Sequence, residues 1–260
     1  MRPSPVHTGL LLTLVLAATM GQSADSRFNV RAPSRLDVFP SVVLWAWERP
    51  EDFTYLDPRQ AGVAFLARTV FLDGGDVAVR PRFQPLSISP GTVLMAVVRI
   101  ETRGHKPLEL SAAQRAAAAA AIVQAASVPG IAALQIDFDA LASQREFYRG
   151  LIFDVRRALP PSLPLSITAL ASWCIGDDWL EVLPIDEAVP MLFQMGPDGA
   201  NVSRFLAEGH DFRAHACRQS AGIAAEEPRP ALSPGRRLYI FPSQRWTPES
   251  VRAALLEVQR

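Results

Sequence analysis

Net charge is the first thing this sequence lacks. Its 260 residues set 26 Lys and Arg against 26 Asp and Glu, which removes the electrostatic footprint of a sequence-independent nucleic-acid binder. Cysteine is scarce: two residues exclude both a disulfide-dense scaffold and a Cys-rich zinc site. Its one signal-like apolar run, Leu10–Ala18, is too short to span a bilayer. Proline is not scarce, and 22 of them argue against a pure helical bundle, since proline breaks helix interiors. With 49% hydrophobic and 20% charged residues, the chain has the composition of a globular protein with a sizeable core.

Arg2 and His7 precede the Leu10–Ala18 run, and small and polar residues, Thr19 to Ala24, follow it. A basic start, a short apolar stretch and a small-residue exit form the pattern of a secretory signal. Residues 1–24 are therefore expected to be a signal peptide, cut near Gly21 or Ala24, with residues 25–260 as one exported domain, periplasmic or secreted. Export would let a Cys174–Cys217 bridge persist. A bridge needs Cα atoms within about 7 Å, and the layout below can place these two at opposite ends of a barrel, so both states stay open.

From Val42 onward, short apolar runs alternate with amphipathic stretches. The runs are Val42–Trp47, Gly62–Thr69, Val93–Glu101, Ile131–Asp139, Leu165–Ala171, Ala188–Met195, Gly222–Glu226 and Arg237–Phe241. Most are rich in Val, Ile, Leu or Phe, as strands buried on both faces are. Ser111-x-x-Gln114 and Ser143-x-x-Glu146 are capping boxes opening helices to about Ala126 and Ala158. Thr247-Pro248-Glu249 opens a last helix. Weaker helical patterns cover Glu51–Leu56, Asp178–Leu183 and Ser203–Glu208. The alternation predicts an α/β fold, a (β/α)₈ TIM barrel. No helical period fills the stretch from Thr69 to Pro90, where Asp73-Gly74-Gly75-Asp76 is a hairpin turn, so the second helix is expected to be irregular or missing. An open doubly wound sheet is the rival, but no glycine-rich phosphate loop follows the first strand.

Active sites of such barrels lie at the carboxyl ends of the strands. In Gln135-Ile136-Asp137-Phe138-Asp139 the pleat puts Gln135, Asp137 and Asp139 on one face. Ile136 and Phe138 should meet the helices. Two carboxylates about 6.6 Å apart along a strand repel, which raises at least one pKa, as a general acid requires. The bland reading makes Asp139 a helix cap for the Ser143 helix. A D-x-D pair also suits a divalent metal, but no histidine cluster accompanies it, and neither metal nor cofactor is expected. Arg99 and Glu101 share a face of the neighbouring third strand and are expected to reach the acids, or to form a structural ion pair. Glu226 and Glu227 end the seventh strand and are expected to be solvated. Trp45, Trp47 and Trp173 offer flat faces suited to sugar rings. Met191, Phe193 and Met195 are expected to pack, with Gln194 turned to the mouth.

The segments Val43-Leu44-Trp45-Ala46-Trp47-Glu48-Arg49-Pro50, Ala133-Leu134-Gln135-Ile136-Asp137-Phe138-Asp139, Ser166-Ile167-Thr168-Ala169-Leu170-Ala171-Ser172-Trp173-Cys174 and Val189-Pro190-Met191-Leu192-Phe193 resemble a bacterial family of secreted proteins with no established activity. The resemblance implies a glycosidase-like barrel. More remotely, the fourth strand is similar to that of chitinase-type glycosidases, which end it D-x-D-x-E. Leu141 stands where that family has its acid glutamate. Either the acid is missing, or Gln135-x-Asp137-x-Asp139 is the counterpart, with Asp139 one methylene shorter than Glu.

These readings converge on an exported glycoside hydrolase acting on a glycan or similar polar substrate, with no nucleic acid and no membrane span; oligomeric state is not legible. Asp139 would be the acid, Asp137 would tune it, and Glu101 would be base or nucleophile. Trp45, Trp47, Trp173, Arg99, Gln135 and Gln194 would bind substrate. A non-catalytic barrel binding a glycan or an envelope partner is the alternative, and a metal-dependent hydrolase at Asp137 and Asp139 a third.

Overall fold

Alternation along eight parallel strands decides which side chains fill the interior and which meet the outer layer. The protein is represented by a computed structural model describing Met1 and residues 34–228 and 230–258. The signal peptide expected over residues 1–24 lies, Met1 apart, outside the described residues. The strands are β1 (Val42–Ala46), β2 (Glu51–Phe53), β3 (Gly62–Asp73), β4 (Asp76–Pro81), β5 (Leu86–Ile88), β6 (Leu94–Thr102), β7 (Ile131–Asp137), β8 (Leu165–Leu170), β9 (Glu187–Met191), β10 (Ser220–Ala224) and β11 (Arg237–Phe241). The helices are α1 (Ala112–Val123), α2 (Arg145–Ala158), α3 (Ala171–Gly176), α4 (Gly199–Ala207) and α5 (Pro248–Val258). β1 pairs in parallel with both β11 and β3, which closes the series β1-β3-β6-β7-β8-β9-β10-β11 into a (β/α)₈ TIM barrel.

Residues of one parity, such as Leu44, Val63, Val98, Ile136, Ile167, Ala188 and Ile240, join the helices in the outer core. The other parity faces inward, where Val43, Trp45, Ala64, Met95, Val97, Ala133, Val189 and Tyr239 pack together. Leu36 and Phe39, ahead of β1, join that inner cluster at the amino-terminal end of the strands. The inner floor is polar. Arg237 donates to Glu187 Oε1 at 2.8 Å and to the Leu36 carbonyl at 2.7 Å, and the Tyr239 hydroxyl donates to Glu187 Oε2 at 2.7 Å. Ser166 donates to the same carboxylate and accepts the Gln135 amide. A buried charge survives only when paired and hydrogen-bonded, and here both members are.

Where a regular barrel would place its second helix, the chain instead forms the β3–β4 hairpin. β3 pairs with β6 up to Leu66, bulges at Ala67, and continues beside β6 to Leu72. β4 returns antiparallel to it, with Asp73 opposite Asp76 across the turn. Gln114, nearly sealed in α1, donates to the carbonyls of Gly74 and Asp76 and so holds the hairpin against the helix. At the α1 N-terminus Ser111 accepts the Gln114 amide, as its capping box predicts.

Several local expectations are corrected. Glu51–Leu56 is not a helix: Glu51–Phe53 is β2, paired with β5, because Phe53 buries fully and Asp52 turns the chain by accepting the Thr54 amide. Ser143 does not cap α2. It lies inside a 3₁₀ turn, and Gln144 Oε1 accepts the Leu141 amide instead. Asp178–Leu183 contributes only the 3₁₀ turn Trp179–Val182. α4 begins at Gly199, ahead of the expected Ser203. β9 and β10 start at Glu187 and Ser220, ahead of the expected Ala188 and Gly222; Glu187 is buried there because Arg237, Tyr239 and Ser166 donate to its carboxylate.

Cys174 and Cys217 form a disulfide, with Cα atoms 5.9 Å apart. Cys174 sits in α3, which descends the outside of β8, and the segment carrying Cys217 runs against it, the amides of Arg213 and Ala214 donating to the Cys174 carbonyl. The two do not sit at opposite ends, because the outer connections pass one another on the barrel flank.

Two outcomes follow from this packing. Glu187→Gln leaves the buried Arg237 with only the more distant Asp37, 3.8 Å away, as counter-charge, so urea titration should show a loss of up to about 3–5 kcal/mol of unfolding free energy; an unchanged midpoint would show that the Glu187 pair does not support the floor. Cys174→Ser with Cys217→Ser frees a crosslink of sequence separation 43 and should cost about 2–4 kcal/mol, while the native protein shows no titratable thiol when unfolded without reductant.

Candidate functional site

The carboxyl ends of the strands open on a cleft of about 860 Å³, lined by residues of every barrel strand or the turn that follows it. The strand geometry sets its floor. Trp47 follows β1, Phe241 ends β11 and Phe193 follows β9; their rings gather, Phe193 and Phe241 at 5.0 Å and Trp47 and Phe241 at 6.2 Å between centroids. Gly222 on β10 makes room for them: a Cβ there would stand 2.7 Å from Met191 Sδ and 3.1 Å from the Phe241 ring.

Arg99 is the hub of the polar side. It lies in register with Asp137 on the adjacent strand, both inward. Its Nη1 donates to Asp137 Oδ2 at 3.0 Å, its Nε donates to Glu101 Oε1 at 3.1 Å, and its guanidinium lies 5.6 Å from the Trp47 ring. Thr168, two residues beyond Ser166 on β8, donates to Asp137 Oδ1 at 2.8 Å. Asp137 is 6% exposed. Burial pushes its carboxyl above the ordinary range, Arg99 opposes the shift, and the nearby Asp139 adds to it.

Asp139 stands past the end of β7, exposed at the mouth and lining the cleft. Among the described residues it has no hydrogen-bond or ion-pair partner, so it does not cap α2. Phe138 turns outward into the core, edge-on to Tyr148 at 5.1 Å. Tyr148 is fully buried on α2, and its hydroxyl has no partner. Burial, with the charges of Asp137 and Asp139 close by, pushes its ionisation well above 10. It is therefore a neutral donor held behind the two acids.

Of the residues singled out from sequence, Asp137, Asp139, Glu101, Arg99, Trp47 and Gln194 meet at this cleft. Gln194 does so with a left-handed backbone, φ 49°, uncommon outside glycine. Three are corrected. Trp45 is fully buried beneath Trp47 and Phe241, inside the barrel rather than on a platform. Gln135 is fully buried in the floor network. Trp173 is 2% exposed and packs edge-on against Trp179 on the barrel flank, because the chain enters α3 directly after β8 and turns that side chain outward. Met191, Phe193 and Met195 were expected only to pack, yet they line the cleft, since β9 ends at Met191 and the alternation stops there. Glu226 and Glu227 line it too, Glu226 accepting the Ser243 amide at 3.0 Å.

Glu48, Arg49 and Arg80 are cleft residues that pattern reading missed. Arg80 comes from β4, and only the absent second helix hinted that another element would wall the mouth there. Among the described residues no three His, Cys, Asp or Glu side chains converge as a metal site. No helix among them is long and apolar enough to cross a membrane. No protein-family model matches the chain, and no curated protein matches it.

The raised carboxyl of Asp137 fixes a sign. The folded state holds that proton more tightly than the unfolded one, so the contribution is fully present below the unfolded value, about pH 4, and is lost as pH rises through the folded value. In Asp137→Asn the fall in unfolding free energy from about pH 4 upward should be shallower than in the native chain. Urea midpoints across that range measure the slope, and an equal or steeper fall in the variant would contradict the assignment.

Proposed function

We propose that the protein is an exported glycoside hydrolase acting on a glycan laid across the barrel mouth. The observation that carries this reading is Asp139: a carboxylate with no partner among the described residues, at the lip of a cleft whose floor is aromatic. In this role Asp139 protonates the glycosidic oxygen as the bond to the anomeric carbon breaks. Glu101, held by Arg99, activates the incoming water or attacks the anomeric carbon itself. Asp137 keeps Arg99 in place and sets the field behind the acid. Trp47 and Phe193, backed by Phe241, supply the platform for sugar C–H faces, and Arg99 and Gln194 meet the hydroxyls.

Against the chitinase-type motif the fourth strand reads in two registers: in one Asp139 takes the place of the glutamate, and in the other Leu141 does, the acid is missing, and the non-catalytic alternative is favoured. Export is supported by the Cys174–Cys217 bridge, since disulfides persist in oxidising compartments. The alternative is a barrel that binds a glycan without cutting it.

Asp139→Asn tests the reading. The exposed, unpartnered side chain contributes nothing to packing, so melting temperature should hold. Hydrolysis of a glycan panel, followed by reducing-end release, should fall about 10²–10⁴-fold, with affinity retained. A stable variant with undiminished turnover would remove Asp139 as the acid. Binding without turnover in the native protein would select the alternative.

A further inference from the structure

The chain is neutral, 26 cations against 26 anions, yet its cleft is not. Seven carboxylates line it against three guanidiniums, so the excess is a local segregation of charge rather than a property of the whole surface. Two of the three cations are ion-paired, and the third, Arg80, is exposed, its guanidinium holding only a ring contact among the described residues. Arg99 is paired with Asp137 and Glu101. Arg49 is paired with Glu51 and donates to the backbone carbonyls of Pro242 and Ser243. Arg80 lies over the Phe71 ring. The anions are not spent. With the candidate acid Asp139 left aside, Asp198 and Glu227 have no hydrogen-bond or ion-pair partner among the described residues. On the opposite wall Glu48 accepts the amides of Phe83 and Gln84 on Oε1 and leaves Oε2 shielded from solvent with no donor.

We infer that the glycan taken by this cleft carries free, protonated amines: its substrate class is a de-N-acetylated amino-sugar chain. The inference rests on the glycan reading above. Low-dielectric walls of one sign concentrate counter-ions, which here means cations. The unpartnered acids come from the connections after β9 and β10, and no three acids among the described residues group as a metal site, so the excess charge is spread over the cleft. An ammonium entering the cleft also meets the half-buried rings of Trp47 and Phe193, and aromatic faces attract cations. A uronic-acid, sulfated or phosphorylated chain meets like charge instead.

The test is calorimetric titration of the full exported protein with β-1,4-linked glucosamine oligomers and with N-acetylglucosamine oligomers of equal length, at a pH where the amine is protonated. The amine oligomer should bind about tenfold more tightly, the sum of a few exposed charge pairs. That preference should shrink as salt is raised. Asp198→Asn with Glu227→Gln, checked for an unchanged melting temperature, should cut it about threefold. Equal or tighter binding of the N-acetyl oligomer overturns the inference and leaves the hydrolase reading standing. Salt-sensitive binding of the amine oligomer with no cleavage upholds the inference and removes the hydrolase reading. Binding of neither oligomer overturns it.

Discussion

A guanidinium sealed inside the barrel sets the frame on which the mouth is built. Arg237 sits 3% exposed at the start of β11, where an ionised group is tolerable only when paired. Satisfying it draws in Glu187 from β9 and the Leu36 carbonyl from the segment before β1. Glu187 in turn takes Tyr239 and Ser166, and Ser166 takes Gln135. Strands β7, β8, β9 and β11 are thus locked in register from below. Because side chains alternate along the strand, fixing Gln135 at the floor fixes Asp137 one step up, and Asp139 follows just past the strand end. The candidate acid is placed by a network that never reaches the cleft.

The same pairing of arginine with carboxylates recurs at the mouth with a different consequence. Arg237 and Glu187 have side chains 3% and 0% exposed, whereas Arg99 and Glu101 are 31% and 41% exposed. Water and salt screen the upper pair, so its contribution to stability is small. A screened pair is also one that a ligand can rearrange. Between the layers Trp45, Val97 and Val189 form an apolar band, so the mouth carboxylates cannot borrow counter-charge from the floor. Asp137 lies on the upper edge of that band, which is why burial dominates its titration even with Arg99 at 3.0 Å.

How much of this was legible in the sequence depended on how local the determinant is. The barrel was legible because doubly buried strands are continuous apolar runs, and the hairpin because Gly74 and Gly75 sit between two short β patterns with no helical period. Arg99, Glu101, Asp137 and Asp139 were legible through parity alone. Parity cannot measure height within a barrel, and height is what separates Trp47 at the mouth from Trp45 sealed two residues below. It also separates Asp137 from Gln135. Trp173 was misplaced for another reason: β8 ends at Leu170 and helix geometry takes over at once, so strand parity no longer applies. The disulfide was undecided because it joins two flanking connections, whose paths no periodicity encodes.

The irregular part of the barrel is also the part that shapes the cleft. A helix after β3 would lie along the barrel's flank and leave the mouth open on that side. The bulge at Ala67 instead carries β3, with β6, past the rim, and β4 folds back on it as the outer strand of a raised wall. Arg82, just after β4, is the tie between wall and floor: its amide donates to the Ala67 carbonyl, and its guanidinium donates to the Trp47 carbonyl at 2.7 Å and to the Arg49 carbonyl. Burial lowers the pKa of that guanidinium, which remains a cation far above neutral pH and so keeps both carbonyls engaged. The Trp47 backbone is thereby held at one height beside Arg99, and the Glu48 side chain is pinned by the amides of Phe83 and Gln84. One hairpin and the turn after it thus fix an aromatic face and the Glu48 carboxylate together on the same wall.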